Sequence, residues 1–276
     1  FFSSRRRHTR YISVTGVQTC ALPISRSPLW TERSLRRRLE IATVPYTEMR
    51  AVSKMLGGTL NTAFVTAAAH AAGRYHDMLG APVESLRASM AISTRTDGSQ
   101  SNAFSLARML VPTADMPIAD RFAAVNEILT ATRSANSSNA LDAIATVSTV
   151  MPTSVITRLA RSQAETVDFA TSNVRASGIP LFVAGSKLLA NYPIGPLAGV
   201  AFNMTLLSYM GSLDVGINID EAAVESPDLL RESLEQSFRE LVALAPTTEK
   251  PTADTGATPP PPPPPAEKRR WFRRAR

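Results

Sequence analysis

Cysteine is all but missing from this chain of 276 residues: the only one is Cys20. A lone thiol excludes a disulfide framework and a thiolate metal cage. Histidine is nearly as scarce. The chain has three, His8, His70 and His76, and no two are adjacent. The paired imidazoles that commonly mark acid–base or metal chemistry are therefore absent. No apolar run approaches the roughly 18 residues that would span a bilayer. The sequence also lacks a phosphate-cradling glycine loop, a nucleophile elbow and a metal-ligand cluster, so no metal site is expected. Asp168, Asp214 and Asp220 stand singly, with no second carboxylate or histidine at a useful spacing.

Phe1–Ser25 carries Arg5, Arg6, Arg7 and Arg10 and no acidic residue. Thr15, Gln18 and Thr19 interrupt the apolar core that a signal peptide needs. Its VTGVQTCALPI stretch resembles the conceptual translation of a short-read library adapter. Residues 1–25 are therefore set aside as an adapter-derived artefact, and Cys20 and His8 go with them. The expectation is a gene cut at this junction, with the natural chain extending further toward its N-terminus. Charge is distributed accordingly. Of the net +7, the first segment supplies +4 and the stretch from Ala266 to Arg276 supplies +5, which leaves −2 for everything between. A nearly neutral body does not fit nucleic acid as a partner.

About 250 residues remain, enough for a sizeable core. Residues 26–46, with the PLW triplet and Arg36–Arg38, read as a lead-in and interdomain segment. Thr47–Leu56 reads as a short helix capped by Thr47 and stopped by Gly57-Gly58. A second helix is expected over Leu60–Leu79, with Leu60, Phe64, Ala67, Ala68, Ala71 and Tyr75 on one face. Its alanines permit close approach, which makes it a candidate central helix. His70 and His76 fall about 120° from that stripe and are expected on its surface flank. Strands are expected at Leu86–Ser93 and Phe104–Val111, then a helix over Pro117–Ala135 and weakly periodic helices over Ala140–Gln163. Four further strands follow, at Val167–Val174, Leu181–Ala190, Val200–Tyr209 and Leu213–Ile219, the last two joined by the tight turn Met210-Gly211-Ser212. A final helix opens with Ser226 as cap, Pro227 in the first turn and Asp228 at the positive end of the dipole. Leu229, Leu230, Leu234, Phe238, Leu241 and Val242 form its buried stripe. The folded domain is bounded at 47–246. Residues 247–276, with the seven-proline run Pro259–Pro265, are too polar and proline-rich to fold.

Several motifs stand in register over about two hundred residues: LGGTLNTAF around Asn61, SMAISTRTDG before Asn102, DFATSNV at Asn173, and YPIGPL followed by NMTLLSYMGSLDVGINID. Together they resemble the C-terminal half of bacterial wax ester synthase/diacylglycerol acyltransferases, from roughly Trp30 to Ala245. The resemblance implies an α/β fold, a mixed β-sheet flanked by helices, forming one half of a coenzyme A-dependent (chloramphenicol acetyltransferase-like) acyltransferase. It implies transfer of a fatty acyl group from acyl-CoA, as co-substrate and with no bound cofactor, to diacylglycerol or a long-chain alcohol. The family's His-His-x-x-x-Asp-Gly motif, whose second histidine is the general base, belongs to the N-terminal domain and is absent here. The chain alone is thus expected to be inactive and to need the missing N-terminal catalytic domain as partner. The family's Asn-Asp pair at the start of the central helix matches Asn61 but meets Thr62, which puts any role of that carboxylate in doubt. Asn61 also suits a helix cap. Ser172 and Asn173 face the substrate channel or tie neighbouring backbone; after Val174 the family's Pro-Gly-Pro is replaced by residues 175–178, RASG.

The last eleven residues, AEKRRWFRRAR, set Trp271 and Phe272 between Arg269, Arg270, Arg273 and Arg274. That combination suits an anionic lipid surface, or else a solubilising end. A cytoplasmic protein, peripheral at the inner membrane or on lipid bodies, is the expectation. The competing reading is a non-catalytic lipid-surface or partner-binding module on the same fold. Another coenzyme A-dependent transferase or a peptide-condensation domain would share the architecture, but would need the same absent histidine motif.

Overall fold

The computed structural model describes residues 27–93, 104–136, 166–175, 178–197 and 199–245. Among the described residues, eight strands and four helices run in the order β1 (Arg37–Pro45), α1 (Tyr46–Met55), α2 (Leu60–Met78), β2 (Ser85–Ser93), β3 (Phe104–Pro112), α3 (Ile118–Asn136), β4 (Phe169–Arg175), β5 (Phe182–Val183), β6 (Ser186–Lys187), β7 (Phe202–Tyr209), β8 (Ser212–Asp220) and α4 (Pro227–Ala243). The main sheet has the strand order β1-β8-β7-β4-β2-β3. Its centre is parallel, β2 beside β4 beside β7, and both flanks are antiparallel. The sheet is mixed and flanked by helices, as expected.

The apolar alternation of β2, β7 and β8 supplies the sheet's half of the core, with Leu86, Ala88, Met90, Phe202, Met204, Leu206, Val215, Ile217 and Ile219 all buried. The β7–β8 hairpin turns at Met210 (φ 45°) and Gly211 (φ 89°), the mirror-image conformation that matches strand twist. Helix α2 supplies the other half. It is central, as expected, but buried nearly all round: Ala63 to Ala69, Ala71, Ala72, Gly73, Tyr75 and His76 are all inside. Gly73 shows why the helix carries no larger side chain there, since a Cβ would sit 2.2 Å from the Thr113 carbonyl oxygen.

Three expectations need correction, and one segment gains an element: the lead-in, for which no strand was expected, forms edge strand β1 from Arg37, paired antiparallel along β8. Its Leu39 and Ile41 are each 52% exposed, whereas Arg38 and Glu40 point toward α4. Arg38 pairs with Glu40 and Asp228 at 2.6 Å each, and Glu40 with Arg231 at 3.5 Å. The charges thus occupy the face where a strand pattern would place apolar residues. Thr47 is not a cap, because α1 starts at Tyr46 behind Pro45 with no side-chain cap. Ser226 is the N-cap residue of α4 but makes no side-chain capping bond, leaving Pro227 and Asp228 to open that helix. The strand expected over Leu181–Ala190 is only the two-residue β5–β6 hairpin, which turns at Ala184 (φ 48°) and Gly185 (φ 83°). The helices expected over Ala140–Gln163, the loop Thr94–Asn102 and the tail 247–276 lie outside the described residues.

Between β4 and β7 the chain forms an arm. It carries the β5–β6 hairpin outward and returns across the sheet. Tyr209 braces the hairpin: its hydroxyl accepts from the Leu181 N–H and donates to the Leu188 carbonyl, both at 3.0 Å. The returning limb is fixed by Asn191 N–H to Asp214 (2.9 Å), Asn218 to the Gly195 carbonyl (2.9 Å) and Asn203 to the Pro196 carbonyl (2.6 Å). It lies so close to β8 that a Cβ on Gly216 would fall 1.7 Å from the Pro193 carbonyl oxygen.

Candidate functional site

In an open sheet with parallel strands, binding sites form beyond the carboxyl ends of those strands. Here that end of β4 meets the first turn of α2. A capping box starts the helix. The Thr59 hydroxyl accepts from the Thr62 N–H (3.2 Å), and the Thr62 hydroxyl accepts from the Thr59 N–H (3.1 Å). Thr62 also donates to the Asn126 side-chain oxygen of α3 at 3.1 Å. Thr59 is thus the cap, and Asn61 is released from that duty. Its amide oxygen instead accepts from Asn173 Nδ2 at 2.5 Å, across 112 residues of sequence.

The structure therefore joins two of the three singled-out residues. Ser172 is not with them. Successive strand residues leave opposite faces. Asn173 shares the helix-side face with buried Phe169 and Thr171, whereas Ser172 lies on the other face, beside Thr205 of β7. The amide pair is solvent-accessible and contains no group able to take up a proton near neutral pH. It can orient, donate and accept hydrogen bonds, but it cannot supply a base.

Neither described histidine supplies one. At about 1.5 Å of rise per residue, His70 lies about 14 Å and His76 about 22 Å along α2 from Asn61. Both were expected on the helix flank, and His76 corrects this: it is fully buried, because Ser27 and Trp30 close over it. Its Nδ1 sits 2.7 Å from the Ala72 carbonyl and must donate, so Nε2 accepts from the Ser27 hydroxyl at 2.7 Å. Burial pushes its pKa down, outweighing the Ala72 bond and the nearby Asp168 and Asp77. His70 packs between α2 and α4, its Nε2 3.0 Å from a Glu240 carboxylate oxygen. Burial first, and then the Arg121 guanidinium, hold its pKa below the ordinary value despite Glu240.

Sequence reasoning missed the network that fastens the lead-in segment. Asp168 accepts from the backbone N–H groups of Ser27 (3.2 Å) and Arg87 (2.8 Å), and burial raises its pKa against those bonds. Asp220 accepts from the Ser34 N–H (2.8 Å) and hydroxyl (2.6 Å). Burial opposes its ionisation, but these bonds, the Ala222 N–H and Arg37 together hold its pKa low. The PLW triplet was the available signal: Trp30 is buried against Tyr75, His76 and Phe202. Among the described residues, no group of three or more histidines, cysteines or carboxylates could hold a metal ion. Arg269, Arg270, Trp271, Phe272, Arg273 and Arg274 lie outside the described residues.

Comparison with known proteins places this arrangement. Residues 100–242 match the WS/DGAT C-terminal domain. A Mycobacterium tuberculosis protein assigned by name as a diacylglycerol O-acyltransferase is 29% identical over 238 residues, covering 84% of this chain and 47% of its own length. The chain thus spans about half the length of the curated relatives it matches. The fold is shared with the wax ester synthase/diacylglycerol acyltransferase of Marinobacter aquaeolei VT8 (TM-score 0.63, 23% identity, 80% of this chain and 52% of that one). It is shared more distantly with a nonribosomal-peptide cyclization-docking bidomain from Sorangium cellulosum (TM-score 0.51, 16% identity, 78% of this chain and 43% of that one). With just over half its length matched by the family's C-terminal domain, the chain belongs to the wax ester synthase/diacylglycerol acyltransferase family.

Proposed function

We propose that this chain is the C-terminal half of an O-acyltransferase that moves a fatty acyl group from acyl-CoA to diacylglycerol or a long-chain alcohol. In that reaction the acceptor hydroxyl oxygen attacks the thioester carbonyl, a carbon–oxygen bond forms, and the carbon–sulfur bond breaks. The hydroxyl proton passes through a base to the departing thiolate. The observation that carries the reading is the Asn61–Asn173 amide pair at the carboxyl end of the parallel strands, with both described histidines held elsewhere. Such a site positions a substrate and leaves proton transfer to a residue on a preceding half. Asn61 and Asn173 are the positioning residues of this reading, acyl-CoA is the co-substrate, and no bound cofactor is invoked.

We place the protein in the cytoplasm at the surface of a membrane or lipid body, with the basic, aromatic stretch Arg269–Arg274 toward the lipid. No described helix is long and apolar enough to cross a membrane. The test of the half-enzyme reading is direct: purified chain is incubated with long-chain acyl-CoA and either diacylglycerol or a fatty alcohol. The expected yield of ester equals that of a heat-killed control, and product above that control would overturn the reading.

A further inference from the structure

Along one face of α1, up to the start of α2, runs a trough of about 230 Å³ that none of the chemistry above uses. It falls short of the roughly 300–1,000 Å³ of a pocket for a drug-sized molecule, so it suits one chemical group rather than a whole ligand. Its polar lining has little left to offer except charge. The Ser53 hydroxyl donates to the Met49 carbonyl at 2.6 Å, and the Gly58 N–H goes to the Ser53 carbonyl at 2.9 Å. The Thr59 hydroxyl is taken up in the capping box. Arg50 and Lys54 remain. They stand four residues apart on α1, where side chains are neighbours and like charges repel one another. Among the described residues neither enters an ion pair. The Arg50 guanidinium lies over the Tyr46 ring, 6.0 Å from its centroid, which steadies the cation at the mouth of the trough. Two cations that share one cavity, with no carboxylate to answer them, make it attractive to an anion.

We infer that this trough binds a phosphate monoester through Arg50 and Lys54. Such a group carries a charge of about −1.5 to −2 near neutral pH and three acceptor oxygens. It can therefore engage both cations at once, whereas a carboxylate answers only one. Arginine supplies a planar fork suited to two phosphate oxygens, and lysine supplies a compact point charge beside it. Position ties the trough to the candidate site. Leu60, in its wall, directly precedes Asn61, so a phosphate held here lies next to the amide pair that Asn61 forms with Asn173. The ligand follows from the acyl-transfer reading, on which this step rests. Two molecules of that reaction's surroundings carry the same group: acyl-CoA through its ribose 3′-phosphate, and phosphatidate through its headgroup. A bound phosphate would anchor either one beside Asn61 while the rest of the molecule extends out of the trough.

The experiment is calorimetry on the full chain with four soluble probes: CoA, dephospho-CoA, glycerol 3-phosphate and inorganic phosphate. CoA is expected to bind at least about tenfold more tightly than dephospho-CoA, which differs from it only by the 3′-phosphate. In R50Q/K54Q that ratio should fall to about one, with the melting temperature unchanged because both side chains are exposed. R133Q removes an exposed arginine on α3, away from the trough, and should leave the ratio as it was. Glycerol 3-phosphate bound more tightly than CoA, with the same dependence on Arg50 and Lys54, would keep the site and assign it to a lipid headgroup. Absence of binding by every probe would overturn the inference, as would equal affinity for CoA and dephospho-CoA or a ratio that survives in R50Q/K54Q. So would an equal fall in R133Q, which would reduce the effect to net charge, or inorganic phosphate bound as tightly as either organic probe. The two readings fail separately. A lost phosphate preference leaves the half-enzyme reading standing, whereas ester made by this chain alone removes that reading and leaves the CoA ratio as measured.

Discussion

Burial has the first say over both described histidines, and it sets the acid sensitivity of the chain. His76 has its Nδ1 proton committed to Ala72 and its Nε2 lone pair to Ser27, so a second proton would have to displace the Ser27 hydroxyl inside the core. His70 and His76 are both held below their ordinary value in the folded state. The unfolded chain therefore takes up protons first as pH falls. The stability involved is complete above the unfolded histidine value of about 6.5 and is lost as pH drops through it. Asp168, whose pKa is raised, acts with the opposite sign nearer the carboxylate range. Urea unfolding is expected at lower denaturant at pH 5.5 than at pH 7.5. H76Q, which keeps an acceptor toward Ser27 but cannot gain a proton, should narrow that gap; an unchanged gap would assign the effect elsewhere. A helical wheel read His76 as a flank residue because it assumes one buried stripe. The wheel has no knowledge of Ser27 and Trp30, which close over it from nearly fifty residues upstream. Likewise Asn61 suits a cap by type, but the reciprocal Thr59–Thr62 box takes that role and frees Asn61 for Asn173.

Elements whose side chains face a core of the expected polarity were legible, and the others were not. Strands β2, β3, β7 and β8 begin and end within two residues of their expected bounds, and the glycine at the β7–β8 turn identified that hairpin. Strand β1 was hidden because Arg38 and Glu40 face α4 and are neutralised there, which inverts the usual pattern. The 181–190 segment showed strand composition, but it lacks sheet partners beyond its own two-residue hairpin. Close packing of the arm's returning limb also left a trace that only the structure explains. Any Cβ on Gly216 of β8 collides with backbone at Pro193. Because backbone cannot swing away as a side chain would, G216A is expected to cost about 3 kcal/mol, at the upper end of overpacking penalties. Gly178, with nothing within 4 Å of its notional Cβ, should accept alanine within about 0.5 kcal/mol. Chemical denaturation of the two variants decides this. Similar losses for both would mean that the limb does not lie across β8.

At the scale of the whole molecule, charge and chemistry are segregated along the chain. The Asn61–Asn173 amide pair sits in a nearly neutral body, and the basic surplus lies in the two terminal segments, of which the last offers an argument from composition alone. Six basic residues against Glu267, with Trp271 and Phe272 among them, contribute about 1 kcal/mol each near an anionic bilayer. That sum is the reason to expect peripheral binding. Because the attraction is Coulombic, it should collapse as the Debye length shrinks from about 10 Å at 0.1 M salt to about 3 Å at 1 M. Vesicles containing phosphatidylglycerol are therefore expected to retain the full chain at low salt and release it at high salt. A version ending at Pro246 should not be retained at either. Retention of both forms at low salt would move the lipid contact onto the folded body, and the exposed arm would then be the place to look. Retention that survives high salt would point to insertion of Trp271 and Phe272 rather than to charge, since apolar burial is not screened.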